Sequence, residues 1–307
     1  TNLLVRRGRH AEAIEVEEVL LQTHPEGARA WRTDLAVLRI AKGESEAGLA
    51  ELEALAQEYS DDPVPWLIFA SEARLAGQLA RSQAALDRVQ QIDAHDTGEL
   101  SGEIQYERFL LYKALGQLDD ALAAWEEAVA SDSDKAKTVR RVYTMLTEAG
   151  RYSEALSYVE RDENRLQAGY QRALIASLSG KPEEARRLWQ KVAALDPDEY
   201  EYGHDTWVES VLRLGDPAPA LAWLQESLSQ VGTARLVFLA GVGWAMHDDV
   251  ELAEKLFQRA IDLSRQRRLL LQKLDGADWR LLDSLVADDE IKAPLKSYFA
   301  VVETLRR

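Results

Sequence analysis

The sequence GQLDDA at residues 116–121 is followed, 34 residues later, by the related sequence GRYSEA at residues 150–155. In both copies a glycine is followed five residues later by an alanine, and apolar residues continue beyond it at the spacing of one helix face. Val139, Val142 and Leu146 show the same spacing before the second glycine. Each period therefore predicts a helix, a glycine turn and a second helix, and a constant period of this length is typical of a stacked repeat array.

The same pattern can be followed along almost the whole chain. A small residue stands early in each predicted second helix, at Ala13, Gly48, Ser82, Ala121, Ala155, Ala185, Ala220 and Ala253. A glycine lies five residues before seven of these positions, and Asp248 replaces it in the eighth copy. Glycine accepts a positive φ at a helix end without steric conflict. The period shortens after Ala155, where residues 162–164 predict the early end of a helix.

This combination of turn glycine, small residue and helix-ending proline resembles the tetratricopeptide repeat, a family of stacked helical hairpins. The resemblance implies an all-α, right-handed superhelical solenoid of about eight hairpins with C-terminal capping helices. The repeat array would span residues 1–265 and the capping helices residues 266–307. Because only seven residues precede Gly8, the first repeat is expected to lack about half of its first helix. The small residues would lie where the two helices of a hairpin come closest.

Composition excludes several classes of function. The formal net charge of −16 argues against non-specific nucleic-acid binding, which needs a broad basic surface. The absence of cysteine excludes disulfides, thiolate zinc sites and a cysteine nucleophile. No apolar run is long enough to span a membrane, and no signal-peptide pattern is visible at Thr1, so no direct membrane insertion is expected. The sequence favours a cytoplasmic location, and a periplasmic one stays open if the chain belongs to a longer export protein.

The sequence favours a protein that is not an enzyme and carries no metal or cofactor. The five histidines are spread along the chain, and neither a His-Glu-x-x-His motif nor a phosphate-binding glycine loop is present. Acidic pairs such as Asp119 and Asp120 stand at the starts of predicted helices, where they complement the helix dipole. Most of the eight tryptophans occupy positions between helices, which favours a role in the core over a platform for sugar rings.

The resemblance also implies a binding surface. In the family, the first helices of successive repeats line a concave groove, chiefly through repeat positions two, five, nine and twelve. In the second to fifth repeats, seven of the residues at these positions are basic and one is acidic, although the whole chain is acidic. The predicted contact residues are Arg29, Arg32, Arg74, Tyr106, Lys113, Lys137, Arg140, the adjacent Arg141, and Tyr170. This stripe predicts binding of an acidic, extended protein segment, unless its cations pair with acidic residues of neighbouring repeats.

Other readings of the same fold remain. Similar arrays form the periplasmic stalks of bacterial exopolysaccharide-export assemblies, which is the alternative function. A receptor for chaperone tails is disfavoured, because neither Asn2 nor Asn164 is placed for that role. Helical repeats that bind RNA are a further alternative, but they are generally basic, whereas this chain is acidic. The sequence predicts a protein partner but leaves its identity and the oligomeric state open.

Overall fold

The computed structural model describes residues 10–95, 100–231, 233–266, 274, 276–287, 289–290, 292, 295–296 and 299, with some of their side chains left out. Within these residues the chain is helical and contains no strand. The all-α repeat fold that the sequence predicts is therefore confirmed. The predicted half-helix before Gly8 lies outside the described residues, as does most of the last predicted helix, from Leu295 to Leu305.

Sixteen α-helices and three short 3-10 segments make up the described structure. The α-helices are α1 (His10–Thr23), α2 (Ala28–Lys42), α3 (Ser45–Glu58), α4 (Pro63–Leu75), α5 (Leu79–His95), α6 (Ser101–Leu115), α7 (Leu118–Ser131), α8 (Val139–Glu148), α9 (Tyr152–Val159), α10 (Arg165–Leu178), α11 (Pro182–Ala193), α12 (His204–Arg213), α13 (Ala218–Val231), α14 (Ala234–Met246), α15 (Val250–Gln266) and α16 (Gly276–Leu285). The 3-10 segments are Pro25–Gly27, Ser133–Thr138 and Pro197–Glu199.

The chain divides into two compact units, Thr1–Ala149 and Gly150–Arg307. In the first unit, α2 packs with α3, α4 with α5, and α6 with α7, so that each pair forms a hairpin across a short turn. The second helix of one hairpin also packs against the first helix of the next, and the first helices α4 and α6 contact each other. A core that includes Leu49, Phe69 and Leu86 fills the space between these helices.

In the second unit, α10 packs with α11 and α14 with α15 as hairpins. The first helices α10, α12 and α14 follow one another in contact, and α16 packs against α14 at the end of this row. The large core of this unit includes Val208, Phe238 and Phe257. Leu281 and Leu282 of α16 belong to the same core, so the described capping helix is joined to the last repeat by apolar packing.

The turns confirm the register that the repeat pattern predicts. Gly77, Gly116 and Gly180 have φ values of 78°, 74° and 75°, which is the left-handed conformation that glycine adopts without strain. Asp248, which replaces the glycine in the eighth copy, has a φ of 62° and is the one non-glycine residue with positive φ in the described structure. The backbone at this turn therefore keeps the left-handed conformation although the residue is an aspartate and not a glycine.

The small positions are close-approach sites. Ala121, Ala185 and Ala253 are fully buried. At Gly48, a Cβ atom would lie 2.5 Å from the carbonyl oxygen of Ala36, which is too close for any side chain without movement of the backbone. The small residue is thus required there because the two helices of the hairpin touch through their backbones.

Candidate functional site

The N-terminal arginines of the predicted stripe form ion pairs with carboxylates of the same unit. Arg29 lies 2.6 Å from Asp62, and Arg32 contacts both Glu51 and Glu58 at 2.8 Å. The hydrogen bonds that Arg32 donates raise its pKa, with the bond to Glu58 contributing more than the bond to Glu51. The sequence leaves open whether these cations pair with acids of neighbouring repeats. Arg29 pairs with Asp62 at the start of the next repeat, whereas Arg32 pairs with two carboxylates of α3, the second helix of its own repeat.

Arg74 is also paired. Its guanidinium lies 3.0 Å from Glu107, and both side chains are less than one-fifth exposed. Ser71 donates a longer hydrogen bond of 3.4 Å to the same carboxylate. Because Arg74 and Ser71 belong to α4 and Glu107 belongs to α6, these contacts join two consecutive first helices. Glu107 stands one residue beyond the predicted contact position Tyr106, so the four-position rule does not include it.

Tyr106 is the centre of the basic part of this surface. Its side chain is half-buried on α6, and the Nζ atom of Lys135 and the guanidinium of Arg141 lie 5.3 and 5.9 Å from the centre of its ring. Cations at this distance are attracted by the negative face of an aromatic ring. Lys135 also contacts Glu103 at 2.6 Å. Burial lowers the pKa of Lys135, but Glu103 and Asp132 raise it more, so the net shift is upward.

The remaining cations lie on α6 and at the start of α8. Lys113 is in the last turn of α6, and Arg140 and Arg141 are in the first turn of α8. Lys113 and Arg140 each have an interaction with another group. Within the described part of the chain, Arg141 forms no ion pair, and its guanidinium lies over the Tyr106 ring. The side chain of Lys137 lies outside the described residues.

The sequence interpretation that places Lys137 on the same α-helix as Arg140 is corrected by the structure. Lys137 lies in the 3-10 segment Ser133–Thr138, and α8 begins at Val139. Side-chain hydrogen bonds explain this difference, because the Thr138 hydroxyl donates to the Lys135 carbonyl at 2.6 Å and accepts from the Trp125 indole at 2.9 Å. Local bonds of this kind compete with regular helix formation.

Tyr170, which the sequence predicts as a groove contact, is buried instead. Its side chain is 7% exposed, and its hydroxyl donates a 2.6 Å hydrogen bond to Glu209 of α12. Burial, followed by the charge of Glu209, raises the pKa of Tyr170 well above its ordinary value. Arg213 contacts the same carboxylate at 2.7 Å. Tyr170 is therefore part of an internal polar network and is not exposed to a partner.

Arg235 of α14 completes this network. Its guanidinium contacts Asp205, lies 2.6 Å from Glu209, and lies 3.2 Å from Asp278 of α16. Burial lowers the pKa of Arg235, but the three carboxylates raise it more, and the net shift is strongly upward. The three carboxylates are each at most 7% exposed. The network thus fixes the capping helix α16 to the row of first helices in the second unit.

Within the described ranges, no three His, Asp or Glu side chains are grouped so that they could hold a metal ion. His204 stacks on Trp223 with 5.2 Å between ring centres, and His247 packs 5.9 Å from Trp244. No described helix has the length and apolar character needed to cross a membrane.

Solved structures of tetratricopeptide proteins are similar to this chain. The structure of yeast Tom70 superimposes with a TM-score of 0.55 at 11% sequence identity, over 94% of this chain and 59% of Tom70. The chain has a tetratricopeptide-repeat fold. At this level of identity the similarity to Tom70 shows the fold alone, and the repeat register described above agrees with it.

Two further tetratricopeptide structures are more distant in geometry. A tetratricopeptide repeat protein from Parabacteroides merdae has a TM-score of 0.49 at 16% identity, over 83% of this chain and 97% of its own. YrrB, described as a TPR protein with an unusual peptide-binding site, has a TM-score of 0.32 at 18% identity, over 76% of this chain and 96% of its own. No protein-family model matches the sequence. No curated protein matches it either.

Proposed function

We propose that this tetratricopeptide-fold chain is a non-enzymatic interaction scaffold that binds an extended, acidic segment of a partner protein beside Tyr106. The observation that carries the proposal is the half-buried Tyr106 ring with the cations of Lys135 and Arg141 at 5.3 and 5.9 Å from its centre. Aromatic and arginine side chains are enriched at protein interfaces, where they combine apolar contact with directed hydrogen bonds.

The distribution of charge supports this location. Residues 133–148 carry four basic and two acidic side chains, although the whole chain has a net charge of −16. An acidic ligand is repelled by most of such a surface and attracted by the small basic part of it. Binding would therefore be selective for position as well as for charge.

The ion pairs reduce the number of cations that are proposed to contact the acidic segment. Arg29, Arg32, Arg74 and Lys135 already contact carboxylates of their own unit, so an acidic ligand gains less from them. Arg141 has no carboxylate partner among the described residues. We therefore place the ligand next to Tyr106 and the start of α8, with Arg141 as the principal cation.

A titration with defined peptides tests this proposal. The probes are a fluorescently labelled glutamate-rich peptide and a glutamine-rich peptide of the same length, and the readout is fluorescence anisotropy. The glutamate peptide should bind, and added salt should weaken it because the attraction is electrostatic. The double variant Arg140→Glu and Arg141→Glu should weaken binding by about tenfold or more, since it replaces two attractive charges by repulsive ones.

The control is the double variant Arg186→Glu and Arg187→Glu on α11. These two arginines are exposed and adjacent on a second helix, so the variant changes the net charge by the same amount at a different place. It should bind the glutamate peptide nearly as the unmodified protein does. Equal weakening by both double variants would show that net charge alone governs binding. Equal affinity for the two peptides would refute the acidic specificity.

A further inference from the structure

A pocket of about 360 Å³ lies between the second helices α3 and α5, away from the residues proposed to bind the acidic segment. Glu53 of α3 and Arg81 and Arg88 of α5 line it, together with Trp66 and Phe69 of α4. Its volume falls within the ~300–1,000 Å³ that is usual for small-molecule sites. The pocket is therefore large enough for a small organic ligand.

Short side chains on α5 create this space. Ala84 and Ala85 line the pocket between Arg81 and Arg88, which lie about one helical turn to either side of them. Ala84 is exposed, so its methyl group is not part of the packed core. A larger side chain at this position would occupy the pocket without displacing core residues.

Trp66 gives the pocket an apolar wall, whereas Phe69 lies behind it, 2% exposed and covered by the Arg81 guanidinium. Trp66 and Phe69 meet edge to face, with 6.4 Å between their ring centres. The indole Nε1 of Trp66 is enclosed and has no hydrogen-bond partner within the described structure. Because this nitrogen is shielded from solvent, it is not counted as a hydrogen-bond donor to the ligand. Its N–H signal can still report a change in the surroundings of the Trp66 ring.

The two arginines of the pocket differ in how their charge is balanced. Arg81 lies 2.7 Å from Glu53 and stacks on the Phe69 ring at 5.2 Å, so its charge is compensated. Arg88 donates to the Ser60 carbonyl at 3.4 Å and to Gln91 at 3.5 Å. Both distances are long for hydrogen bonds of this type. Among the described residues Arg88 has no carboxylate partner, and it leaves the pocket with one uncompensated positive charge.

We propose that this pocket binds a small aromatic carboxylic acid, with its carboxylate on Arg88 and its ring against the partly exposed Trp66. A planar guanidinium is suited to a carboxylate because it can donate two parallel hydrogen bonds. The Trp66 wall adds apolar burial of the ligand ring. The proposal is independent of the acidic-segment site, since the two share no residue.

An NMR titration with 3-phenylpropanoate tests this inference. The readout is the indole ¹⁵N–¹H signal of Trp66, assigned by its loss in Trp66→Phe. The signal should shift in a saturable way with 3-phenylpropanoate. Its neutral analogue 3-phenylpropanamide should bind about tenfold more weakly, because the amide forms no charge-assisted pair with Arg88.

Two variants locate the site. Arg88→Gln should lower the affinity for 3-phenylpropanoate to about that for the amide, because it removes the charge but retains a polar side chain. Ala84→Leu should abolish binding by filling the pocket. Both variants should keep the circular dichroism spectrum and melting temperature of the unmodified protein, since the two positions lie outside the core. No saturable shift, equal binding of acid and amide, or unchanged affinity in Arg88→Gln would each overturn the proposal.

Discussion

At the scale of single residues, buried alanines set the distance between the two helices of a hairpin. Ala121 and Ala185 are completely buried and stand five residues after their turn glycines. The period of the sequence predicts these positions because any bulkier side chain would force the helices apart. The same argument accounts for Gly48, where even a Cβ atom would meet the facing backbone.

Replacement of either alanine by leucine should therefore destabilise the protein. We expect Ala121→Leu and Ala185→Leu each to lower the free energy of unfolding by about 1–3 kcal/mol, the usual effect of overpacking. Ala123→Leu is the matched control, because Ala123 is exposed on the same helix as Ala121. Thermal melting followed by circular dichroism measures all three variants. A melting curve for Ala121→Leu that coincides with that of Ala123→Leu would show that the repeat register is wrong.

At the scale of elements, the sequence predicts the hairpins well but the charged contacts between helices poorly. Turn glycines and small residues obey local spacing, and both are found at the predicted places. The partner of Arg235 on α16, Asp278, is 43 residues away along the chain, and no periodic pattern connects the two. Tyr170 illustrates the same limit, since its repeat position predicts exposure and its burial depends on Glu209 of the next first helix.

The network around Glu209 should contribute less to the stability of the protein at alkaline pH than at neutral pH. Burial raises the pKa of Tyr170 in the folded protein, whereas an unfolded tyrosine ionises at about pH 10. The contribution of Tyr170 to stability is therefore complete below that pH and is lost as the pH rises toward the folded-state value. Tyr170→Phe should lower the free energy of unfolding by about 1–2 kcal/mol at neutral pH, and this deficit should shrink above pH 10.

Urea unfolding at a series of pH values measures this difference. Tyr202→Phe serves as the control because Tyr202 is 52% exposed, so loss of its hydroxyl should change stability little at neutral pH. A deficit of Tyr170→Phe that stays constant from neutral to strongly alkaline pH would contradict the assignment of a buried, hydrogen-bonded hydroxyl.

The 3-10 segment at Ser133–Thr138 shows why part of the candidate site could not be predicted. The repeat pattern extends the first helix of the fifth repeat back to Lys137, but Thr138 bonds to the Lys135 carbonyl and to the Trp125 indole. Lys135, which lies outside the four groove positions, then approaches Tyr106. The sequence thus predicts Tyr106, Arg140 and Arg141. The position of Lys135 beside them depends on the hydrogen bond between Thr138 and Trp125, which the repeat pattern does not contain.

At the scale of the whole molecule, the contrast between an acidic chain and a short basic stretch carries the functional proposal. The structure pairs the predicted cations of α2 and α4 with carboxylates; near Tyr106 it pairs Lys135 with Glu103 and places Arg141 against the Tyr106 ring. The boundary at residues 265 and 266 and the alternative role as an export stalk stay predictions. Protein binding beside Tyr106 is the central claim.

Site-specific photo-crosslinking tests that claim most directly. A benzophenone amino acid is placed at Tyr106 or, as the control, at Ala123, which is exposed on the second helix of the same hairpin. Each protein is irradiated with the glutamate-rich peptide and analysed by mass spectrometry. We predict a covalent adduct from position 106 that disappears in the Arg140→Glu and Arg141→Glu background, and little adduct from position 123. Equal adducts from both positions, or an adduct at 106 that survives the charge reversal, would contradict the account.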